Sequence, residues 1–324
     1  MTFLHEEPEK FKELIDRVAQ DIGIPAAHLE KEYYVTMFLK QLSEIDRTVV
    51  FKGGTSIAMC YGGVINRFSE DIDLNYNKGR MPPTENMRRT FKKSIIKSGE
   101  TIGLVLENAG EIRSRRDYNL YRYNYPNFYS DIAMKPNIDV ETSVKSPSFP
   151  VEERSVESIL GKYLRDNGHE ELAKATGLIG FTLSTQTLER TLTDKIFAVG
   201  DYYFTKELDR HSRHLYDIYK LSTEVDMTSD EYKKLFSEVL LVREKQPGNI
   251  TAGLEYNLLD ILKKVIDEDV YKEDYDNVTR FFLHEDVSYD TVKDNLGNIV
   301  ETLERLNIYS EAKENQLENN IKKL

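Results

Sequence analysis

Hydrophobic positions in the first part of the chain alternate between helical and strand-like spacing. In residues 27–42, apolar side chains recur every four residues in two adjacent rows, which predicts a helix with one broad apolar face. Residues 8–20 predict another helix. The β-branched and aromatic run 47–52 predicts a short buried strand that ends at two glycines. A short helix over 55–62 and a strand over 71–75 are expected to follow.

The later part of the chain has a different pattern, and a break separates the two parts. Before the break we expect a helix capped by Thr84 over 84–98 and strands over 102–106, 117–125 and 131–144. The stretch 145–150 holds two prolines and two serines without any period, which predicts a domain boundary. After residue 153 the pattern is helical, over 188–203, 213–221, 230–246, 256–268 and 290–306, with a charged last segment, 309–324, that is expected to fray. We therefore predict an α/β domain at 1–150 and a helical domain at 151–324.

Composition and charge exclude several classes of protein. The chain has 44 Lys and Arg against 56 Asp and Glu, and this net charge of −12 argues against a general DNA-coating protein, which needs cationic side chains. The one cysteine, Cys60, rules out a disulfide framework and a Cys-based zinc site, and we expect it to be a small core residue. No apolar run approaches about 18 residues and the N-terminus does not resemble a signal peptide, so we expect a cytoplasmic protein without a membrane segment.

A glycine pair and two aspartates carry the candidate chemistry. Gly53 and Gly54 lie between the predicted strand and helix, where glycine lets the backbone approach a ligand and the helix start favours phosphate. This is not a P-loop, because Lys52 precedes the glycines. Asp71 and Asp73 are two apart on a strand, so both carboxylates project from one face and repel each other unless a cation lies between them. Mg²⁺ is the expected cation, because it binds to one or two carboxylates together with substrate phosphates.

Each of these motifs also has an ordinary structural explanation. An isolated Asp-X-Asp is usually a solvated surface, and Gly-Gly-Thr-Ser is usually a turn followed by a helix cap. Their combination in a strand–Gly-Gly–helix–strand order favours the functional interpretation, a nucleotidyl-transfer site.

The motifs resemble those of the polymerase β-type nucleotidyltransferase superfamily and, more closely, of the AbiEii/AbiGii toxin family, which is related to the MenT toxins of type IV toxin–antitoxin systems. Residues 51–57 and 67–74 match the first motif of the family. Residues 28–36 match its Glu-Lys-Asp-Tyr lead-in, with Glu32 in place of Asp. Residues 191–198 resemble the second motif, in which Asp194 replaces the usual Glu, and 210–218 resemble the third.

The resemblance implies a fold and a set of site residues. The fold would be α+β, a polymerase β-type mixed sheet with helices, and an all-helical C-terminal domain would contribute Lys195 and Asp217 to the nucleotide cleft. Lys195 would neutralise phosphate charge, and Asp217 would be a metal-proximal or orienting carboxylate. The metal ligands would be Asp71 and Asp73, and the nucleotide-binding residues would be Lys52, Gly53, Gly54, Thr55, Ser56, Arg67 and Ser69. Ser69 matches a serine that relatives can modify, and a phosphate there would inactivate the protein.

Several assignments stay open at the level of sequence. A third metal-site carboxylate is typical of the superfamily, and Asp139 is preferred over Glu141, which lies on the same strand face. Lys195 has the alternative of a salt bridge to Asp194 or Asp217, and Asp217 that of a pair with Arg213. His211 and His214 are better explained by capping or phosphate contact than by metal binding. Two basic clusters are RNA-backbone candidates but are more simply solvated faces: Arg88, Arg89, Lys92 and Lys93, and Arg113, Arg115 and Arg116.

The resemblance also implies a reaction and partners. The protein would use an NTP and Mg²⁺, or Mn²⁺ in its place, to transfer NMP to an RNA, the expected acceptor being the 3′ end of tRNA. The outcome would be growth arrest in an abortive-infection, phage-defence setting, with a cognate antitoxin encoded nearby that need not bind the toxin. The alternatives are transfer to a protein or small molecule, and a GTP-binding toxin without turnover.

Overall fold

The computed structural model describes residues 3–76, 83–131, 134–144, 146–246 and 248–322. The chain forms two compact units. The first comprises Met1–Tyr61 and Ser69–Thr185, and the second comprises Gly62–Phe68 and Gln186–Leu324. The domain bounds proposed from the sequence, 1–150 and 151–324, stay a prediction about which segments fold independently; residue 145 of the proposed boundary lies outside the described residues.

The first unit is built on a mixed sheet of seven strands. These are β1 Val49–Lys52, β2 Ile72–Tyr76, β3 Val105–Leu106, β4 Tyr118–Asn124, β5 Ile138–Ser143, β6 Val151–Val156 and β7 Phe181–Gln186. Their order is β3-β4-β5-β2-β1-β7-β6. The central strand β2 is antiparallel to β1 and parallel to β5, so residues from all three strands meet on each face of the sheet.

Helices supply the core of the first unit. They are α1 Pro8–Ile22, α2 Ala26–Ile45, α3 Gly53–Cys60, α4 Glu85–Thr101, α5 Ile159–Asp166 and α6 Glu170–Ala175, with short 3₁₀ turns at Leu4–Glu6 and Ala109–Glu111. The apolar rows predicted in α2 are buried, and Tyr33, Phe38 and Leu42 are all fully buried. The helix does not keep a solvated side, however, because the charged residues Lys31 and Lys40 are buried as well. The ring of Phe38 lies 5.6 Å from that of Tyr123 on β4, which places α2 against the sheet.

Most predicted elements of this unit are present, with three instructive differences. The helix α3 begins at Gly53, two residues earlier than expected, so the glycines form its first turn. The predicted strand 102–106 is wrong over its first three residues, because α4 extends to Thr101 and Gly103 follows in a turn with φ +73°. The strands β6 and β7 were expected to be helical. β6 carries two glutamates and an arginine at the edge of the sheet, so it lacks the apolar alternation that identifies a half-buried strand.

The second unit is helical, as predicted. Its α-helices are α7 Leu188–Thr205, α8 Arg213–Glu224, α9 Asp230–Arg243, α10 Leu258–Asp267, α11 Lys272–Asp274, α12 Arg280–Phe282, α13 Tyr289–Arg305 and α14 Ile308–Ile321, with a 3₁₀ turn at Ile250–Ala252 and a π-helix at Tyr275–Thr279. The segment 62–68 belongs to this unit through backbone pairing. The amide of Phe68 donates to the carbonyl of Phe282 at 2.9 Å, and that of His284 donates to Asn66 at 2.9 Å. In the described residues, none of the helices has the length and apolar character needed to cross a bilayer.

Phe38 is a position where loss of packing should be costly. Phe38→Ala removes a ring that is fully buried against Tyr123, and the resulting cavity should lower the free energy of unfolding by about 3–5 kcal/mol. Urea denaturation measures this. The same change at Phe281, which is 77% exposed, should shift stability by less than about 0.5 kcal/mol. Equal effects at the two positions would contradict the packing of α2 on the sheet.

Candidate functional site

The start of α3 approaches a carboxylate of the neighbouring strand. β1 ends at Lys52 and the helix begins at the next residue, Gly53, whose φ is +81°. A Cβ atom at Gly53 would lie 2.1 Å from Oδ2 of Asp73, so only glycine fits between this helix start and that carboxylate. The first backbone N–H groups of a helix have no partner within the helix and carry its positive dipole end. Asp73 therefore lies beside a site that favours anions.

Four carboxylates share one face of the sheet, which we call the carboxylate face: Asp71, Asp73, Asp139 and Glu141. Asp73 and Glu141 are direct partners in the parallel pairing of β2 and β5. Asp71 and Asp139 each lie two residues before one of these partners. Because side chains alternate along a strand, they project from the same face of the sheet as Asp73 and Glu141. Lys52 is the partner of Asp73 on the other side, in the antiparallel pairing of β1 and β2. The register thus confirms that the two candidate third carboxylates, Asp139 and Glu141, both face the Asp71–Asp73 pair.

A lysine that the sequence analysis did not identify neutralises part of this face. The Nζ atom of Lys135 lies 2.9 Å from Oδ1 of Asp71 and 3.0 Å from Oδ2 of Asp139. Asp139 also accepts from Asn137 at 2.8 Å and lies 3.4 Å from Nε of Arg122. Burial alone lowers the pKa of Lys135, but Asp71 and Asp139 outweigh burial and raise it, so the ammonium stays charged. Asp71 and Asp139 therefore share a cation.

Glu141 lies among like charges on the same face. Burial, followed by the charges of Asp73 and Asp71, raises the pKa of Glu141 to about 7. Tyr118 and Lys135 oppose this shift only in part. A carboxylate whose pKa is raised by burial and by neighbouring carboxylates is typical of a functional site that binds a cation.

The residues fit a magnesium ion that is completed by a substrate. In the described residues, no three His, Cys, Asp or Glu side chains come close enough together to hold a metal by themselves. Mg²⁺ does not need such a cage, because it commonly takes one or two carboxylates and completes its shell with water and phosphate oxygens. Asp71 and Asp73 supply that number, and the ammonium of Lys135 occupies a cation position beside Asp71.

A buried ion pair fixes the residue that precedes Asp71. Glu70, which is 3% exposed, accepts from Nζ of Lys31 at 2.7 Å and from the amide of Lys135 at 3.1 Å. Lys31 also donates to the carbonyl of Lys135 at 3.0 Å. The lead-in residue Lys31 therefore ties Lys135 to the residue that precedes Asp71.

The two glutamates beside Lys31 have a similar structural role. Glu30 accepts from the amides of Phe128 and Tyr129 at 2.9 and 3.0 Å. Glu32 accepts from Thr36 at 2.8 Å and from the amide of Ile159 at the start of α5. Each charged residue of the lead-in motif thus fastens a different segment to α2.

The hydroxyl groups near the helix start hold the backbone together. Thr55 donates to the carbonyl of Asp71, so the 2.8 Å contact between Thr55 and Ser69 must use the hydrogen of Ser69. Ser56 donates to the carbonyl of Gly53 at 2.9 Å. These bonds leave the backbone amides, rather than the hydroxyl hydrogens of Thr55 and Ser56, as the natural donors to a phosphate.

The second unit contains a separate buried charge network. Asp217 is fully buried and accepts from Arg67 through both oxygens, at 2.7 Å each, and its Oδ2 lies 2.8 Å from Nζ of Lys195. Burial raises the pKa of Asp217, but Arg67 and Lys195 outweigh burial and hold it below its ordinary value. Lys195 therefore forms a salt bridge with Asp217, which is one of the two alternatives that the sequence left open for it. Asp217 has Arg67 as a second cationic partner.

The histidines and Asp194 complete the description of this network. Nδ1 of His214 lies 3.3 Å from Nζ of Lys195, and burial followed by the charge of Lys195 holds the pKa of His214 well below its ordinary value. A neutral imidazole that accepts from the ammonium explains this contact. His211 stacks on Tyr202, with ring centroids 3.7 Å apart. Asp194 lies 2.9 Å from Arg190 and 3.1 Å from Arg243, so it serves a different ion-pair group.

The two basic clusters come together in the first unit. Arg88 on α4 pairs with Asp117 and reaches the carbonyl of Arg116 at 3.4 Å, and Lys92 donates to the carbonyl of Ile112 at 3.1 Å. The clusters therefore form one basic surface along α4 and residues 112–116, although Asp117 offsets part of its charge.

The residues that the sequence analysis missed are those that support the carboxylate face: Lys31, Glu70, Tyr118, Arg122 and Lys135. Lys135 lies in a segment without regular periodicity, and only its spacing of four residues from Asp139 indicates a pair. Lys31 and Glu70 are in the quoted motifs, but a sequence does not show that they contact each other.

The close approach of Gly53 to Asp73 gives a stability prediction. Gly53→Ala combines an unfavourable φ with a clash against the carboxylate, whereas Gly103→Ala imposes only the unfavourable φ of +73°, since nothing lies within 4 Å of its Cβ position. We expect Gly103→Ala to cost about 1–2 kcal/mol and Gly53→Ala to cost clearly more in urea denaturation. Equal costs would show that Asp73 does not lie against the helix start.

Glu141 gives a prediction for the pH dependence of stability. Its pKa is raised to about 7 in the folded protein from an ordinary value of 4.5, so the folded state holds the proton more tightly and stability falls as pH rises between these values. Glu141→Gln removes this titration. The variant should equal the wild type near pH 4 and should be more stable at pH 8 in metal-free buffer. Thermal unfolding across this range checks it, and a difference that does not change with pH would contradict it.

Comparison with known proteins identifies the family. Residues 38–295 match the family described as "Nucleotidyl transferase AbiEii toxin, Type IV TA system", which covers most of the chain. No curated protein matches significantly. Among solved structures, MenT4, a nucleotidyltransferase toxin from Mycobacterium tuberculosis H37Rv, shares 15% identity with a TM-score of 0.53, over 94% of this chain and 98% of that chain. JHP933 from Helicobacter pylori shares 18% identity with a TM-score of 0.41, over 92% of this chain and 98% of that chain.

The likeness to MenT4 supports the α+β nucleotidyltransferase fold with a helical C-terminal region. The carboxylate face and the helix start beside it are the features that a nucleotidyltransferase needs, and the family match indicates the same activity. The chain belongs to the AbiEii nucleotidyltransferase toxin family of type IV toxin–antitoxin systems.

Proposed function

We propose that this toxin is a Mg²⁺-dependent enzyme that transfers NMP from an NTP to RNA, with the 3′ end of tRNA as acceptor. The observation that carries the proposal is the position of Asp73 against the first turn of α3, with Asp71 one step away on the same face. This places a pair of carboxylates, which favours a metal ion, beside a helix start, which favours phosphate.

The reaction follows from these two features. The 3′-hydroxyl of the acceptor gives its proton to water while its oxygen attacks the α-phosphorus of the NTP. A new P–O bond forms, and the bond from the α-phosphorus to the bridging oxygen breaks to release pyrophosphate. The amides at the start of α3 bind the phosphates, and Asp71 and Asp73 bind the metal. Bound Mg²⁺, or Mn²⁺, supplies positive charge that stabilises the attacking and leaving oxygens. Lys52, the direct partner of Asp73 in the sheet, adds positive charge for the phosphates.

The charge network of the second unit has a role in the same reaction under this proposal. Both oxygens of Asp217 already accept from Arg67 and Lys195, which favours an orienting carboxylate over a metal ligand. Lys195 would then act on phosphate charge, with Asp217 and His214 holding its ammonium in place. Arg67, which we expected to bind the nucleotide, would contribute by fixing Asp217.

Three considerations support the acceptor and the partners that we propose. The basic surface along α4 gives an acidic protein a local site for an RNA backbone. NTPs and tRNA are available together in the cytoplasm, where we place the reaction and the resulting growth arrest during phage infection. The type IV family implies an antitoxin encoded nearby, and direct binding to it is not required.

Modification of Ser69, which contacts Thr55 at 2.8 Å, would add phosphate charge near Asp71 and stop the reaction.

The test is a labelling screen with the four NTPs against tRNA and against total protein. The wild type should label tRNA in a Mg²⁺-dependent way, and Asp71→Asn and Asp73→Asn should each lower the rate at least about 100-fold, because each removes a metal ligand. The matched control is Asp230→Asn, whose side chain is 97% exposed and should leave the rate unchanged.

Three outcomes would decide against the proposal or part of it. Label in protein or small molecules alone would overturn the RNA acceptor. Nucleotide binding without any label would favour a GTP-binding toxin without turnover. Full activity of Asp73→Asn would overturn the metal site itself.

A further inference from the structure

Lys135 contacts Asp71, a carboxylate that also binds the metal ion in the proposed reaction. Its ammonium bridges Asp71 and Asp139, at 2.9 and 3.0 Å, and its side chain is 31% exposed. Asp71 is only 13% exposed and is one of the two carboxylates assigned to the metal. A divalent ion bound to the carboxylate of Asp71 and an ammonium that contacts the same carboxylate repel each other, so each opposes the binding of the other.

The backbone of Lys135 is held by two hydrogen bonds, and its side chain is partly exposed. Its amide donates to Glu70 at 3.1 Å and its carbonyl accepts from Lys31 at 3.0 Å. Glu70 and Lys31 are 3% and 1% exposed and are paired at 2.7 Å, so this anchor is inside the protein. The flexible four-carbon stem starts from this anchored backbone, so the ammonium can leave Asp71 by rotation of the side chain alone.

We propose that Lys135 is a built-in counter-ion of the carboxylate face, which competes with the divalent ion for Asp71 and thereby weakens metal binding in the absence of nucleotide. The inference rests on the proposed function, because it takes Asp71 as a metal ligand. Lys135 is a positioning residue in this account: it acts on the metal through Asp71.

The competition has a functional consequence. Free Mg²⁺ must displace the ammonium without help, whereas Mg²⁺ that arrives with a triphosphate brings its own phosphate ligands and negative charge. When the ammonium leaves Asp71, it keeps Asp139, 3.0 Å away, as a partner. Lys135 thus favours joint entry of metal and nucleotide over entry of the metal alone.

The test measures Mn²⁺ binding without nucleotide by electron paramagnetic resonance on the full chain. Lys135→Met and Lys135→Gln remove the charge with similar side-chain length, and each should bind Mn²⁺ about tenfold more tightly than the wild type. Lys135→Arg keeps the charge and should bind no more tightly than the wild type. Lys174→Met is the matched control, since Lys174 pairs with Glu171 on an exposed helix and its loss should leave Mn²⁺ affinity unchanged.

Thermal unfolding provides a second readout that does not need activity. The neutral variants should melt at a lower temperature than the wild type in metal-free buffer, and Mn²⁺ should raise their melting temperature more than that of the wild type. Variants that fold only when Mn²⁺ is present would also support the proposal. Variants that remain unfolded with Mn²⁺ would overturn it, because the metal would then fail to replace the ammonium.

The result is distinguishable from failure of the proposed function. Unchanged or weaker Mn²⁺ affinity in both neutral variants, with a wild type that still transfers NMP, overturns the counter-ion role alone. A wild type that transfers no NMP to any acceptor overturns the proposed function, whatever the variants bind.

Discussion

Repulsion among carboxylates on one face of a sheet is the constraint on which the candidate site depends. Asp73 of β2 and Asp71, which directly precedes β2, lie beside Asp139 and Glu141 of β5, and the folded protein must hold these charges together before any ligand arrives. It does so with Lys135 beside Asp71 and Asp139, and with a raised pKa at Glu141. Repulsion among these carboxylates lowers the free energy of unfolding. A bound metal ion relieves that repulsion, so the repulsion strengthens metal binding.

The surrounding structure serves to keep this face in place. Gly53 gives the carboxylate of Asp73 room against the helix start, and the buried pair of Lys31 and Glu70 fixes the backbone next to Asp71. The second unit uses a different arrangement for its charges. There Asp217 is fully buried and receives two cationic partners, so its negative charge is satisfied by the protein itself. The second unit thus satisfies a buried carboxylate with two of its own cations, whereas the first unit places four carboxylates on one face of a sheet, where burial and neighbouring charges raise the pKa of Glu141.

The sequence predicts the parts of this account that depend on local pattern. Alternation in β2 places Asp71 and Asp73 on one face, and the four-residue spacing in α2 predicts its buried side. It does not predict contacts between distant segments, such as Lys135 with Asp71 or Arg67 with Asp217, because no periodicity links their positions. It also missed β6, where charged residues on an exposed edge strand hide the alternation. The carboxylate pair was therefore predictable, and the cations that control it were not.

The most direct test of the metal site is a crystal structure of the wild type with Mn²⁺ and a non-hydrolysable NTP, in which anomalous scattering locates the metal. The account predicts a manganese peak within coordination distance of Asp71 and Asp73, with the phosphates at the first turn of α3. A manganese peak at other side chains, or a triphosphate bound away from Gly53 and Gly54, would contradict it.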